Sequence, residues 1–185
     1  GNINHKMMAK QFAFTFLFII FFGNIFCQKN MTVAKDGSGD FKTIQAALDA
    51  IPSGNENRIN LYIKKGVYKE VIIVDARKNF ISLYGEDKNN TILTFDNHAG
   101  TRLSNGDTLN TWTCASTFIY GNDFYAENLT FQNTAGFTAG QAVGLRLEGN
   151  RASLVNCRIV GNQDIWRPLA TDIRNNTCPH IVLCG

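Results

Sequence analysis

Two stretches decide the fold: Glu127-Asn-Leu-Thr-Phe-Gln-Asn133 and, 28 residues further on, Val155-Asn-Cys-Arg-Ile-Val-Gly161. Each carries an Asn at its second position, followed by apolar residues at every other place: Leu129 and Phe131 in one, Cys157 and Ile159 in the other. Alternation of this kind marks strands with one buried face. An echo of this length built from short strands suits a solenoid, specifically a parallel β-helix in which each coil adds one strand per face. A β-sandwich produces similar strand spacing, and the pattern alone divides evenly between the two.

Upstream of the echo, short runs rich in β-branched and aromatic residues continue the theme: Leu61-Tyr-Ile63, Glu70 to Val74, Phe80 to Tyr84 and Thr91 to Phe95. Lys64-Lys-Gly66, Arg77-Lys-Asn79 and Asp87-Lys-Asn-Asn90 punctuate them as turns. One helix stands apart. Ile44, Ala47, Leu48 and Ile51 follow i, i+3, i+4, i+7 spacing, with Asp40 as the expected N-cap and Pro52 as the stop. A solenoid needs its terminal apolar edge covered, so an amphipathic helix at this place is expected to cap it.

The bulk properties bound the answer loosely. The 185 residues suffice for one domain with a real core, and 44% hydrophobic against 18% charged residues is ordinary for a globular chain. A net charge of +3 with no Lys/Arg block argues against a nucleic-acid surface. Residues 1–28 read as leader and signal peptide: Lys6 and Lys10 precede the apolar run Phe12 to Phe22, too short for a comfortable membrane span. Export follows as the expectation, with no membrane attachment after cleavage. With Cys27 in the leader, Cys114, Cys157, Cys178 and Cys184 remain, and Cys114 and Cys157 are expected as buried apolar residues rather than a bridge. Asn30, Asn89, Asn128 and Asn175 open glycosylation sequons, relevant in a eukaryotic source.

Six segments, in order, are similar to the plant and bacterial pectin methylesterase family. They are Val33-Ala-Lys-Asp-Gly-Ser-Gly-Asp-Phe-Lys-Thr-Ile-Gln45, Lys65-Gly-Val-Tyr-Lys-Glu70, Tyr84-Gly-Glu-Asp87, Ala126-Glu-Asn-Leu-Thr-Phe-Gln-Asn-Thr-Ala-Gly136, Gln141-Ala-Val-Gly-Leu-Arg146 and Asn162-Gln-Asp164. The resemblance implies an all-β, right-handed parallel β-helix over residues 33–164, secreted to the cell wall. It implies hydrolysis of the methyl esters of galacturonate in pectin by a monomer that needs no cofactor and no metal. By analogy rather than by pattern, it decides for the solenoid over the sandwich.

In that family one Asp attacks the ester carbonyl, and a second protonates the departing methanol and then activates water. Two Gln amides stabilise the oxyanion. The chemistry is sound: amide donors placed where negative charge develops stabilise it, and two neighbouring carboxylates split their pKa values so that one attacks while the other holds a proton. Residue by residue, Asp164 matches the acid/base, Gln163 and Gln141 the oxyanion donors, and Thr111 a substrate-contacting Thr. Each has a plainer reading: Asp164 as a turn cap, Gln141 as a rung of a polar ladder, Thr111 as an ordinary strand Thr. Tyr68 and Glu70, although hallmark residues, are read as structural, packing and pinning a strand end. Thr111 and Gln141 are 30 apart and Gln163-Asp164 follow 22–23 later, consistent with one contribution per coil. Parallel strands stack about 4.8 Å apart, so such residues would form one compact patch.

Beyond Asp164 the likeness fades. The family pattern continues to Asp-Phe-Ile-Phe-Gly, which bears the nucleophile, whereas here Ile165-Trp-Arg-Pro-Leu-Ala-Thr-Asp-Ile-Arg174 follows. Residues 165–185 are therefore expected to be a divergent tail of frameshift or intron origin, with the β-helix truncated on that side. The matching expectation is family membership without methanol release from methylated pectin by this polypeptide; release abolished by Asp164→Asn would contradict it. The alternatives are a non-catalytic pectin-binding β-helix, using groove aromatics such as Trp112, and a lyase, which would require an acidic calcium-binding cluster that the sequence lacks.

Overall fold

The computed structural model describes residues 29–162, 166–168 and 181–184. Among the described residues, fourteen strands form three all-parallel sheets. We number them β1 (Lys29–Val33), β2 (Ile59–Ile63), β3 (Gly66–Lys69), β4 (Ile72–Val74), β5 (Ile81–Gly85), β6 (Thr91–Phe95) and β7 (Thr117–Ile119). They continue with β8 (Tyr125–Glu127), β9 (Thr130–Asn133), β10 (Leu145–Leu147), β11 (Ser153–Val155), β12 (Arg158–Asn162), β13 (Trp166–Pro168) and β14 (Ile181–Cys184). Sheet A runs β1-β2-β5-β8-β11, sheet B β3-β6-β9-β12-β14, and sheet C β4-β7-β10-β13. From β2 to β13 the chain visits A, B and C in turn, four times over, and each visit lands beside the last. The architecture is a parallel β-helix, and the sandwich alternative falls.

The 28-residue echo is the register of this stack. Glu127 pairs with Val155 in sheet A, and Phe131 with Ile159 in sheet B. Inward positions stack by kind: Leu61, Leu83, Ala126 and Leu154 form one buried ladder, and Tyr68, Leu93, Phe131 and Ile159 another. The repeated Asn has its own cause. Asn128 and Asn156 turn the corner from sheet A to sheet B with φ of 56° and 47°, a left-handed conformation that Asn tolerates better than most residues. Their side chains also bond across coils, Asn156 Nδ2 donating to Asn128 Oδ1 at 2.6 Å. Gly85 is required for a different reason, since a Cβ there would lie 2.1 Å from the Asn128 carbonyl oxygen.

Two local expectations need correction. The helix α1 spans Ile44–Asp49, and its N-cap is Thr43, whose side chain accepts from the Ala46 N–H. Asp40 is not the cap. Its carboxylate accepts from Thr32 N–H at 2.7 Å, because Phe41 is first drawn into a parallel bridge with Val33. The run Glu70 to Val74 is also not one strand. The chain bends at Glu70-Val71, so that β3, hidden in the supposed turn around Gly66, precedes a shorter β4. Ile44, Ala47 and Leu48 are fully buried, and α1 packs beside β1 and β4, the edge strands of sheets A and C. Cys114 and Cys157 are buried, as the sequence suggests. The leader lies outside the described residues, and no described helix is long and apolar enough to cross a membrane.

Candidate functional site

Sheet C presents its outer face through the middle residue of each strand, because side chains alternate. Ile73, Phe118 and Arg146 therefore line up across β4, β7 and β10, and the β13 backbone pairs alongside with Arg167 in register with Arg146. Two connections lie by this face: residues 96–116 between β6 and β7, and residues 134–144 between β9 and β10. The first lengthens the second coil and includes an antiparallel bridge between Arg102 and Thr108. It brings Leu109, Cys114 and Ala115 against Phe118 and Val143, a small apolar cluster separate from the main core.

Thr111 belongs to the first connection and Gln141 to the second, and the fold brings them into contact. The Thr111 hydroxyl donates to Gln141 Oε1. That bond orients the amide: with Oε1 taken, the Gln141 NH2 has no partner among the described residues. The backbone around the pair is well held. Gln141 O accepts from Ala99 N–H at 2.8 Å, and the Cys114 thiol reaches Gln141 O at 3.5 Å and Thr111 O at 3.7 Å. Gln163 and Asp164 lie outside the described residues; in chain order they precede β13 as Gln141 precedes β10 and Thr111 precedes β7.

Arg146, which sequence reasoning passed over as a site residue, completes the patch. Its guanidinium lies 5.3 Å from the centre of the Trp112 ring and donates to Trp112 O. It also pairs with Glu148, with only 14% of the Arg146 side chain exposed. A signal existed: an Arg between Leu145 and Leu147 in a period-2 strand must point outward. Phe118 stacks on Tyr120 at 6.0 Å, and burial, aided by Glu148 and opposed by Arg146, pushes the Tyr120 phenol up and keeps it neutral. Trp112 and Phe137 remain 47% and 62% exposed, so two aromatic rings stand open on the same two connections. Among the described residues no group of three His, Cys, Asp or Glu side chains converges as a metal site would need.

The two hallmark residues read as structural serve the scaffold. Tyr68 is buried and its hydroxyl donates to Lys64 O at 2.9 Å. Glu70 accepts from Ile44 and Gln45 N–H at 2.9 and 3.0 Å, so its carboxylate pins the start of α1 as well as the end of β3.

Comparison with known proteins agrees with this geometry. The Pectinesterase family model matches residues 30–170. Pectinesterase 31 of Arabidopsis thaliana is 39% identical over 136 residues, covering 71% of this chain and 43% of its own. The solved pectin methylesterase from carrot superposes with a TM-score of 0.66 at 37% identity, over 75% of this chain and 41% of that one. A pectin methylesterase solved in complex with a hexasaccharide gives 0.69 at 30% identity, over 75% and 45%. The right-handed parallel β-helix is the fold of these neighbours. The chain thus spans less than half the length of each of these relatives.

Proposed function

This chain belongs to the pectinesterase family, and from that premise we propose that it binds methyl-esterified polygalacturonate as an exported, monomeric cell-wall protein. It carries the acid/base side of an aspartyl ester hydrolase site, with no residue here matching the family's nucleophile. The observation that carries the reading is the oriented Gln141 amide. Thr111 holds Oε1, and the two N–H donors, without a partner among the described residues, suit an oxygen that gains negative charge. Gln163 is the proposed second donor and Asp164 the proposed acid/base, holding a proton for departing methanol and later drawing one from water. Their order in the chain supports the assignment: they precede β13 as Gln141 precedes β10.

The open rings of Trp112 and Phe137 suit a polysaccharide, because sugars present flat apolar faces to aromatic rings, and a hexasaccharide is the ligand of one solved relative. The test is calorimetric titration of the chain with methyl-esterified hexagalacturonate. Saturable binding is expected, weakened about tenfold by Gln141→Ala; no saturable binding by the unaltered chain overturns the reading. No methanol release is expected from this polypeptide, since no residue here matches the family's nucleophile; release that is lost with Asp164→Asn would overturn that expectation.

A further inference from the structure

Asn133 ends β9, is only 3% exposed, and has no part in the chemistry above. Its side chain is nevertheless fully engaged with main chain. Nδ2 donates to Asn97 O at 2.8 Å, to Val143 O at 3.1 Å and to Cys114 O at 3.4 Å, while Oδ1 accepts from Ala135 N–H at 3.0 Å. Asn97 and Cys114 stand near the two ends of the connection that carries Thr111, and Val143 lies on the connection that carries Gln141. One amide therefore ties both ends of the first connection to the second.

Main-chain bonds extend the same seam. Ala99 N–H reaches Gln141 O at 2.8 Å, Ser116 N–H reaches Val143 O at 2.9 Å, and Thr134 N–H reaches Phe95 O at 2.8 Å. The plainer explanation would be an asparagine ladder of the kind Asn128 and Asn156 form. It does not apply, because the strand neighbour of Asn133 is Phe95 and its side chain's partners among the described residues are all backbone atoms. A buried NH2 shared by three carbonyls is also hard to replace: removing it leaves acceptors without donors in a water-poor place.

We propose that Asn133 is a positioning residue of the candidate site, holding the two connections at the separation that lets the Thr111 hydroxyl meet Gln141. The ligand part of its test rests on the proposed function; the structural part does not. Asn133→Asp keeps the shape but removes both donors and sets a carboxylate against carbonyl oxygens, and Asn133→Ala removes the clip without adding charge. Hydrogen exchange is expected to speed up about tenfold at Ala99 and Ser116, the amides that bridge the seam, while the β5 and β9 strands hold their protection. Affinity for methyl-esterified hexagalacturonate should fall by about the same factor.

Unchanged exchange at the seam, equal loosening of seam and strands, or unaltered affinity in a variant of a chain that binds would each overturn the proposal. Should neither variant fold, the unaltered protein still decides it. The Asn133 side-chain NH2 protons are expected to exchange far more slowly than those of exposed Asn89, and equal rates would sink the idea. A chain that binds no hexagalacturonate refutes the functional reading alone, since the exchange data then judge the clip by themselves.

Discussion

The first coil and the outer face of sheet C both hold residues of recognisable motifs, yet their hydrogen bonds go to different places. In the first coil the bonds end on backbone. Glu70 takes two N–H groups at the start of α1, Tyr68 donates to the Lys64 carbonyl, and Gln45 bonds both polar groups of Ile73, accepting its N–H at 2.8 Å. Ile73 lies on β4, the edge of sheet C, so an amide side chain pairs where a further strand would have paired. At the sheet C face side chains also bond one another, and two aromatic rings keep large exposed areas. Thr111 meets Gln141, Arg146 meets Glu148 and Trp112, and the Gln141 NH2 points at nothing described. Side chains spent on backbone hold the fold together; side chains that orient one another and keep a donor spare are ready for a ligand.

Substitutions can break that contrast or sharpen it. Glu70→Ala should cost the most, about 2–3 kcal/mol by urea unfolding, because two charge-assisted bonds to helix N–H groups vanish together. Its affinity for oligogalacturonate should not change, and the reverse pattern would move Glu70 into the site. Tyr68→Phe should cost about 1 kcal/mol, the effect of removing the hydroxyl's bond to the part-buried Lys64 carbonyl. At the other region the effects should invert. Thr111→Val and Gln141→Ala are each expected to shift stability by under about 0.5 kcal/mol, while a double-mutant cycle on ligand affinity shows coupling of about 1 kcal/mol. Additive losses would mean that the hydroxyl does not orient the amide.

A smaller effect depends on pH. Burial first, and then donation to Glu127, raises the Tyr125 phenol from 10.0 to about 12. Because the folded value exceeds the unfolded one, the stabilisation is complete below pH 10 and is lost as pH rises towards about 12. Absorbance titration should show one late-ionising tyrosine that disappears in Tyr125→Phe. Smallest of all should be Arg151→Ala. Its bidentate pair with Asp123, at 2.6 and 2.7 Å, leaves half of the Arg151 side chain exposed, so the loss should stay within about 0.2–1 kcal/mol.

Much of this was legible before any coordinates. The 28-residue echo is the coil itself, and the segment Thr91 to Phe95 is a strand to the residue. Asp40 misled because Asp before an apolar periodic run resembles a cap, whereas a bridge between Val33 and Phe41 delays the helix by one short strand segment. The split of Glu70 to Val74 was hidden for a similar reason: a solenoid corner can be turned by ordinary residues, without Gly or Pro to announce it. Thr111 and Gln141 could be named from their motif, but Arg146 and Asn133 could not be ranked, since an outward Arg and a strand-end Asn are common and only their partners set them apart.

By itself, the sequence determined the repeat, the alternation that builds ladders of buried side chains, and the family. These are local patterns, written at spacings of two and of one coil. Which carboxylate caps the helix, which amide clips two distant connections, and which donor is left spare were decided only by tertiary structure. Residues 30 apart along the chain, such as Thr111 and Gln141, acquire their roles from what the stacking of coils sets beside them.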